Sequence, residues 1–152
     1  MTLCNSSASE RIYVEAKILF SHCINLIEKH EHDSLKAPFY AAAYYNRGNA
    51  KDQLGQHKSA ISDYDQAISL SNDASAYNNR GDSKSKLGYH LAAIEDFDKA
   101  IKVDENKTSA YINRGSSKVA IGEYESAIND FNRAVELDPE NSAAYNNRGV
   151  LK

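Results

Sequence analysis

The feature that most constrains this chain is a six-letter motif that returns at an almost constant interval. It reads AYYNRG, AYNNRG, AYINRG and again AYNNRG, with its tyrosines at Tyr44, Tyr77, Tyr111 and Tyr145. The steps between these tyrosines are 33, 34 and 34 residues. A fixed period of this length is typical of chains built from stacked supersecondary units, each of which buries its apolar face on its neighbours.

A second motif follows the first and predicts a second helix in each unit. The segments AISDYDQAISL, AIEDFDKAIKV and AINDFNRAVEL begin at Ala60, Ala93 and Ala127. In each segment alanine, an aromatic residue, alanine and an aliphatic residue stand at i, i+4, i+7 and i+8, which is the spacing of an apolar stripe along a helix. Each unit is therefore predicted to contain two helices joined by a turn.

All seven glycines fall at two places in this repeat. The place inside the first helix holds Gly48, Gly81, Gly115 and Gly149. A glycine there costs about 1 kcal/mol relative to alanine, so we expect a close helix contact in which the glycines meet Ala60, Ala93 and Ala127. The place after the last periodic residue, where a left-handed cap would end the helix, holds Gly55, Gly88 and Gly122.

These motifs resemble the tetratricopeptide repeat family, whose 34-residue unit has an aromatic residue, Gly, Ala, an aromatic residue, Ala and Pro at set offsets. The third copy matches every offset, with Tyr111, Gly115, Ala127, Phe131, Ala134 and Pro139. In the first two copies Asn72 and Glu105 replace the proline. The resemblance covers residues 41–152 and implies an all-α fold, a right-handed α-solenoid of helix-turn-helix repeats.

The period and the flanking patterns divide the chain into segments. We predict a flexible N-terminus at 1–8, a capping helix at 9–30, a connector at 31–40, full repeats at 41–73, 74–107 and 108–141, and the first helix of a fourth repeat at 142–152. The capping helix is predicted because Ala16, Phe20, Cys23, Ile24 and Leu26 have the spacing of a second helix. The alternative is an amphipathic helix that binds a partner. Pro38 suits the first turn of the next helix.

Composition argues against several classes of function. The net charge is −3 and the Lys and Arg residues form no run, so no nucleic-acid partner is predicted. Only Cys4 and Cys23 are present, which excludes a disulfide framework and favours a reducing compartment. The sequence has neither a signal-peptide pattern nor an apolar segment of about 18 residues. We therefore expect a cytoplasmic protein that does not cross a membrane.

The sequence offers little for catalysis. It contains no P-loop, no dinucleotide-binding glycine pattern and no nucleophile elbow. The segment HEHD at 30–33 is the one cluster of residue types that bind metal ions. No second set of ligands with the spacing of a zinc site accompanies it. We expect no enzyme activity, no cofactor and no metal site.

Charged residues also recur with the period. Each first helix has an Arg and a Lys four residues apart, and such like-charged pairs repel weakly on an isolated helix. Each full second helix has an Asp just before its aromatic residue, at Asp63, Asp96 and Asp130. We hypothesise that Arg-to-Asp bridges between helices fix the stacking of repeats. The alternative is a solvated charged face.

The resemblance further implies that the first helices line a concave groove that binds a peptide. Carried over position by position, the predicted contacts are Tyr45, Asn46, Asn49, Asn78, Asn79, Asp82, Lys86, Ile112, Asn113, Ser116, Val119 and Asn147. Asparagine recurs two positions before every glycine of the first helix, so binding and structural roles both remain open for Asn46, Asn79, Asn113 and Asn147. The residues that vary among repeats are the better candidates for specificity.

The predicted function is a protein-interaction module or scaffold that binds a peptide or helix of a partner. In co-chaperones of this family a clamp with Lys three residues before the glycine holds acidic C-terminal tails. The matching positions here are Tyr45, Asn78, Ile112 and Asn146, so no such clamp is expected. Two alternatives remain: an accessory or regulatory domain of a longer protein, and self-association as a homodimer through Ala144, Val150 and Leu151.

Overall fold

The computed structural model describes residues 8–28 and 37–150, which form eight helices and no strand. The helices are α1 (Ala8–Glu28), α2 (Ala37–Gln53), α3 (His57–Leu70), α4 (Ala74–Lys86), α5 (His90–Val103), α6 (Thr108–Ala120), α7 (Tyr124–Leu137) and α8 (Ser142–Val150). They belong to two compact units, Met1–Asn72 and Asp73–Lys152. The predicted all-α solenoid class of helix-turn-helix repeats is confirmed.

Helix pairs are the building block of both units. In the first unit, α2 contacts α1 on one side and α3 on the other. In the second unit, α4 pairs with α5 and α6 pairs with α7, while α5 contacts α6 and α7 contacts α8. The first helices of the second unit also contact one another, α4 with α6 and α6 with α8. They therefore form one continuous row.

The core consists of small and aromatic side chains from the periodic stripe. Tyr64, Phe97 and Phe131 are each at most 1% exposed. Full burial of such a side chain stabilises the fold by about 1.5–3 kcal/mol. Alanines of the same stripe also leave almost no surface in water: Ala60, Ala67, Ala93, Ala100, Ala127 and Ala134.

The turn inside each repeat is closed by a glycine in the left-handed conformation. At Gly88, φ is +81°. Its N–H donates to the Ser85 carbonyl at 2.9 Å, and the N–H of Tyr89 donates to the Lys84 carbonyl at 2.9 Å. These two bonds form a Schellman motif, which satisfies carbonyls that the end of the helix would otherwise leave without donors. The other two repeats have the same bonds, so the predicted left-handed caps are confirmed.

The glycine inside each first helix is required by an aromatic ring. A Cβ atom added at Gly81 would lie 2.7 Å from Cε1 of Phe97, and one added at Gly115 would lie 2.6 Å from Cε1 of Phe131. Gly48 faces Tyr64 in the same way. A close helix contact was predicted correctly, but the predicted neighbour was wrong. The nearest atoms belong to the aromatic residue and not to Ala60, Ala93 or Ala127.

The segment before the repeats forms a helix that packs on the first one. Ile24 of α1 is 2% exposed, and α1 contacts α2. Cys23 and Leu26 are exposed, so their predicted place in the apolar stripe is wrong. The next helix, α2, begins at Ala37, inside the predicted connector, with Pro38 in its first turn. Residues 1–7 and 29–36 lie outside the described part of the chain.

Candidate functional site

In the first unit, two of the predicted contact residues are held by the buried tyrosine. The hydroxyl of Tyr64 donates a hydrogen bond to Oδ1 of Asn49 at 2.9 Å. The ring of Tyr45 lies 6.1 Å from that of Tyr64, tilted by 54°, an arrangement that aromatic pairs prefer. Asn46 is half-buried in the same helix. The side chains of Tyr45 and Asn49 are thus oriented by contacts within their own repeat.

In the second unit, three predicted contact residues form a chain of amides. Nδ2 of Asn113 donates to Oδ1 of Asn78 at 3.2 Å, and Nδ2 of Asn78 donates to Oδ1 of Asn79 at 3.2 Å. Asn78 is only 7% exposed. A buried amide needs hydrogen-bond partners, and this chain supplies them across α4 and α6. The structural alternative is therefore favoured for Asn79 and Asn113.

The remaining predicted residues of the second unit are exposed or half-buried. On α4, Lys86 Nζ lies 2.8 Å from Asp82 Oδ2, and both side chains are about two-fifths exposed. On α6, Ile112 and Val119 are half-buried and Ser116 is exposed. Their i, i+4 and i+7 spacing places these three residues on one face of the helix. Asn147 is half-buried on α8.

A carboxylate between two cations joins the helices of each full repeat. In the second repeat, Asp96 accepts from Nε and Nη2 of Arg80 at 2.8 and 2.6 Å, and Lys84 Nζ lies 2.7 Å from the same carboxylate. Asp96 is 1% exposed. The same arrangement recurs as Arg47, Lys51 and Asp63, and as Arg114, Lys118 and Asp130.

The predicted Arg-to-Asp bridges between helices are confirmed, but these three do not link one repeat to the next, as the hypothesis that they fix repeat stacking requires. Each bridge joins the first helix to the second helix of the same repeat. The Lys was not predicted to be the second partner of each carboxylate, although its i+4 spacing from the Arg indicated this role. Each Lys also supplies the backbone carbonyl that accepts the last bond of the turn, as Lys84 does for Tyr89. One residue thus fixes both the turn and the helix pair.

Contacts between repeats are made by Arg114 and by Arg148, which occupies the same place in the fourth repeat. Arg114 Nη1 lies 2.6 Å from Oδ1 of Asp98 on α5, and Arg148 Nη1 donates to Oδ1 of Asn132 on α7 at 3.4 Å. Burial disfavours the charged form of Arg114, but its hydrogen bonds to Asp130 and Asp98 outweigh that effect and raise its pKa. Its guanidinium also lies 5.4 Å from the centre of the Tyr111 ring.

The predicted self-association surface does not have the expected exposure. Ala144 is fully buried, with its N–H donating to Oδ1 of Asn141 at 3.2 Å. Its expected place in an uncovered patch is therefore wrong. Leu151 and the side chain of Val150 lie outside what the structure describes. The homodimer therefore stays a prediction, and Ala144 is no longer one of its expected contact residues.

Two further features concern the described ranges 8–28 and 37–150 only. They contain no group of three His, Cys, Asp or Glu residues placed to hold a metal ion. The HEHD segment falls outside them. None of their helices combines the length and the apolar character that a membrane span needs.

Sequence models of one family match most of the repeat region. Models described as "Tetratricopeptide repeat" match residues 41–73 and 74–107, and a model described as "TPR repeat" matches residues 115–152. A search of curated protein sequences gave no match.

Solved structures of the same fold cover about three quarters of this chain. The TPR domain of Arabidopsis OM64 is 28% identical, with a TM-score of 0.75 over 76% of this chain and 96% of that one. The TPR2B domain of yeast Sti1, solved in a complex with pHsp70, is 28% identical, with a TM-score of 0.70 over 74% and 94%.

A third similar structure is the second TPR domain of human RPAP3 in complex with the HSP70 peptide SGPTIEEVD. It is 25% identical, with a TM-score of 0.73 over 76% of this chain and 97% of that one. The repeat period, the helix pairs, the glycine contacts and these matches lead to one conclusion. The chain belongs to the tetratricopeptide repeat family.

Proposed function

We propose that this chain is a non-enzymatic protein-interaction module that binds a peptide or helix of a partner on the face of its first helices. The supporting observation is that these helices carry exposed and half-buried side chains, with a paired Asp82 and Lys86 on α4 and with Ile112, Ser116 and Val119 on one face of α6. The RPAP3 and Sti1 domains were each solved with a chaperone partner. These complexes are the basis for proposing that the present chain also binds a protein partner.

The ligand is proposed to differ from an acidic C-terminal tail. At the positions three before the glycines, Asn78 is buried in the amide chain and Ile112 is apolar. Lys86 is the one cation among the predicted contacts, and Asp82 neutralises it at 2.8 Å. Hydrogen bonds to an ionised group are about twice as strong as neutral ones. A carboxylate on this face would find no unpaired cation among the predicted contacts to supply such bonds.

The preferred ligand is proposed to carry an apolar anchor. Ile112 and Val119 are two helical turns apart on α6, and Ser116 between them leaves room because its side chain is short. Its hydroxyl donates to the Ile112 carbonyl at 2.9 Å, so it needs no bond from a ligand. An apolar side chain placed over Ser116 would bury surface of both Ile112 and Val119, at about 25 cal/mol per Å².

We expect no measurable binding of the peptide SGPTIEEVD in calorimetric titration, because the face lacks an unpaired cation. The RPAP3 domain serves as the positive control. A variant with Ile112→Lys, Asn146→Lys and Ser116→Asn supplies cations and an amide in two repeats and should bind at least about tenfold more tightly, equivalent to 1.4 kcal/mol. Micromolar binding by the unchanged chain would overturn the exclusion. A triple variant no better than the unchanged chain would show that missing cations are not the cause.

The binding face itself is tested by photo-crosslinking. A benzoylphenylalanine at position 116 on α6 should form adducts with partner proteins, whereas one at position 129, exposed on α7, should form few. Mass spectrometry of the adducts identifies the partner. Equal labelling from both positions would count against the first-helix face as the binding surface.

A further inference from the structure

The second unit has an open apolar cleft at the turns between its helices, and none of the residues that line it is a proposed peptide-binding residue. Its volume is about 420 Å³, and its lining consists of Gly88, Tyr89, His90, Leu91, Ala92 and Ile121. Tyr89 is 54% exposed and Leu91 is 69% exposed. This volume lies within the range of ligand clefts. We refer to these six residues as the turn cleft.

The apolar residues of the turn cleft are not required by the repeat. After the left-handed glycine, the first repeat has Gln56 and Lys58 where the second has Tyr89 and Leu91. The first repeat nevertheless forms the same turn and the same helix start. By contrast, the aliphatic residue before the glycine recurs in every repeat. Tyr89 and Leu91 therefore leave apolar surface in water without a structural reason.

The surroundings of the turn cleft are acidic. Glu95 lies one helical turn after Leu91, and Glu123 and Glu125 follow Ile121 within four residues. All three are exposed, and within the described part of the chain none of their carboxylates forms a hydrogen bond or an ion pair. The lysines that precede the cleft in the chain, Lys84, Lys86 and Lys118, are paired with Asp96, Asp82 and Asp130. The field at this edge is therefore negative, and such a field attracts basic partners.

We propose that the turn cleft is a second docking site, for a protein segment in which an apolar anchor residue is flanked by Lys or Arg. The anchor packs between Tyr89, Leu91 and Ile121, and the flanking cations pair with the three carboxylates. The site uses none of the residues of the first-helix face, so each of the two proposals can be tested independently of the other. A partner could occupy both surfaces, or two partners could bind at once.

The test uses three short peptides and amide chemical shifts. The peptide acetyl-KKFKK-amide should give saturable shifts at residues 88–92 and 121. Acetyl-KKSKK-amide, which lacks the anchor, and acetyl-EEFEE-amide, which reverses the charge, should bind at least about tenfold more weakly. Equal binding of the serine peptide would mean that charge alone acts, and equal binding of the acidic peptide would mean that charge plays no part. Shifts centred on 112–119, or none at all, would also overturn the proposal.

Two variants and a control complete the test. Leu91→Lys, which introduces the residue that the first repeat has at this place, should weaken KKFKK binding at least about tenfold. Glu123→Gln combined with Glu125→Gln should weaken it about threefold and reduce its dependence on salt, because only Glu95 then remains charged. Val103→Lys changes an exposed apolar residue at the other end of α5 and should leave binding unchanged. A loss with Val103→Lys equal to that with Leu91→Lys would rule out the turn cleft.

Discussion

Replacing Gly81 with valine is expected to lower the free energy of unfolding by about 3 kcal/mol, because added atoms in a well-packed contact force neighbours to move. The Cβ atom would lie 2.7 Å from Cε1 of Phe97. Phe97 is 0% exposed, so its ring has no free space into which it could withdraw. Urea denaturation followed by circular dichroism measures the loss as a shift of the midpoint.

The matched control is the same change at Gly149. This glycine occupies the same place in the motif, but a Cβ atom there would meet nothing within 4 Å. Valine is a slightly better helix former than glycine, so we expect no loss of stability in α8. Similar losses at Gly81 and Gly149 would show that the ring contact does not explain the glycine.

The second large effect is expected at Asp96. Changing Asp96 to alanine should lower the free energy of unfolding by about 3 kcal/mol or more, because it leaves the partly buried Arg80 and Lys84 without their anion. Asp98, two residues further along the same helix, has a side chain that is 56% exposed. Its replacement by alanine should cost less than about 1 kcal/mol, as is usual for surface pairs. Thermal unfolding of both variants tests the difference.

A double-mutant cycle separates the ion pair from simple burial. Once Arg80 is replaced by methionine, the further loss caused by Asp96→Ala should shrink by about 1–3 kcal/mol, the coupling expected of residues in one network. Additive losses would contradict the role assigned to the bidentate bridge, whose N–O distances are 2.6 and 2.8 Å.

The helices and turns were predictable because each depends on local sequence. The i, i+4, i+7 and i+8 stripe determines which face of α5 is buried, and Phe97 and Ala100 lie there as expected. The glycine at 88 ends α4 because few other residues adopt a φ of +81°. Each of these inferences was stronger because the same pattern recurs in three repeats.

The errors arose where the outcome depends on how one helix crosses another. Ala93 of α5 was expected to meet Gly81, but the crossing geometry places Phe97 there. Likewise, the offset of Asn78 in the repeat placed it among the ligand contacts, but packing of α4 against α6 buries it. The offset of a residue within the repeat gives its position along a helix, but it does not tell how exposed the side chain is.

The shared carboxylate of each repeat has a consequence for the order in which the chain folds. Arg80 and Lys84 repel each other on α4 until Asp96 of α5 lies between them. The partner is only 16 residues further along the chain than Arg80, and contacts of such short range favour rapid folding. During synthesis, a first helix would therefore gain its stability when the following helix leaves the ribosome. The chain would then grow by one closed hairpin at a time, in the direction of translation.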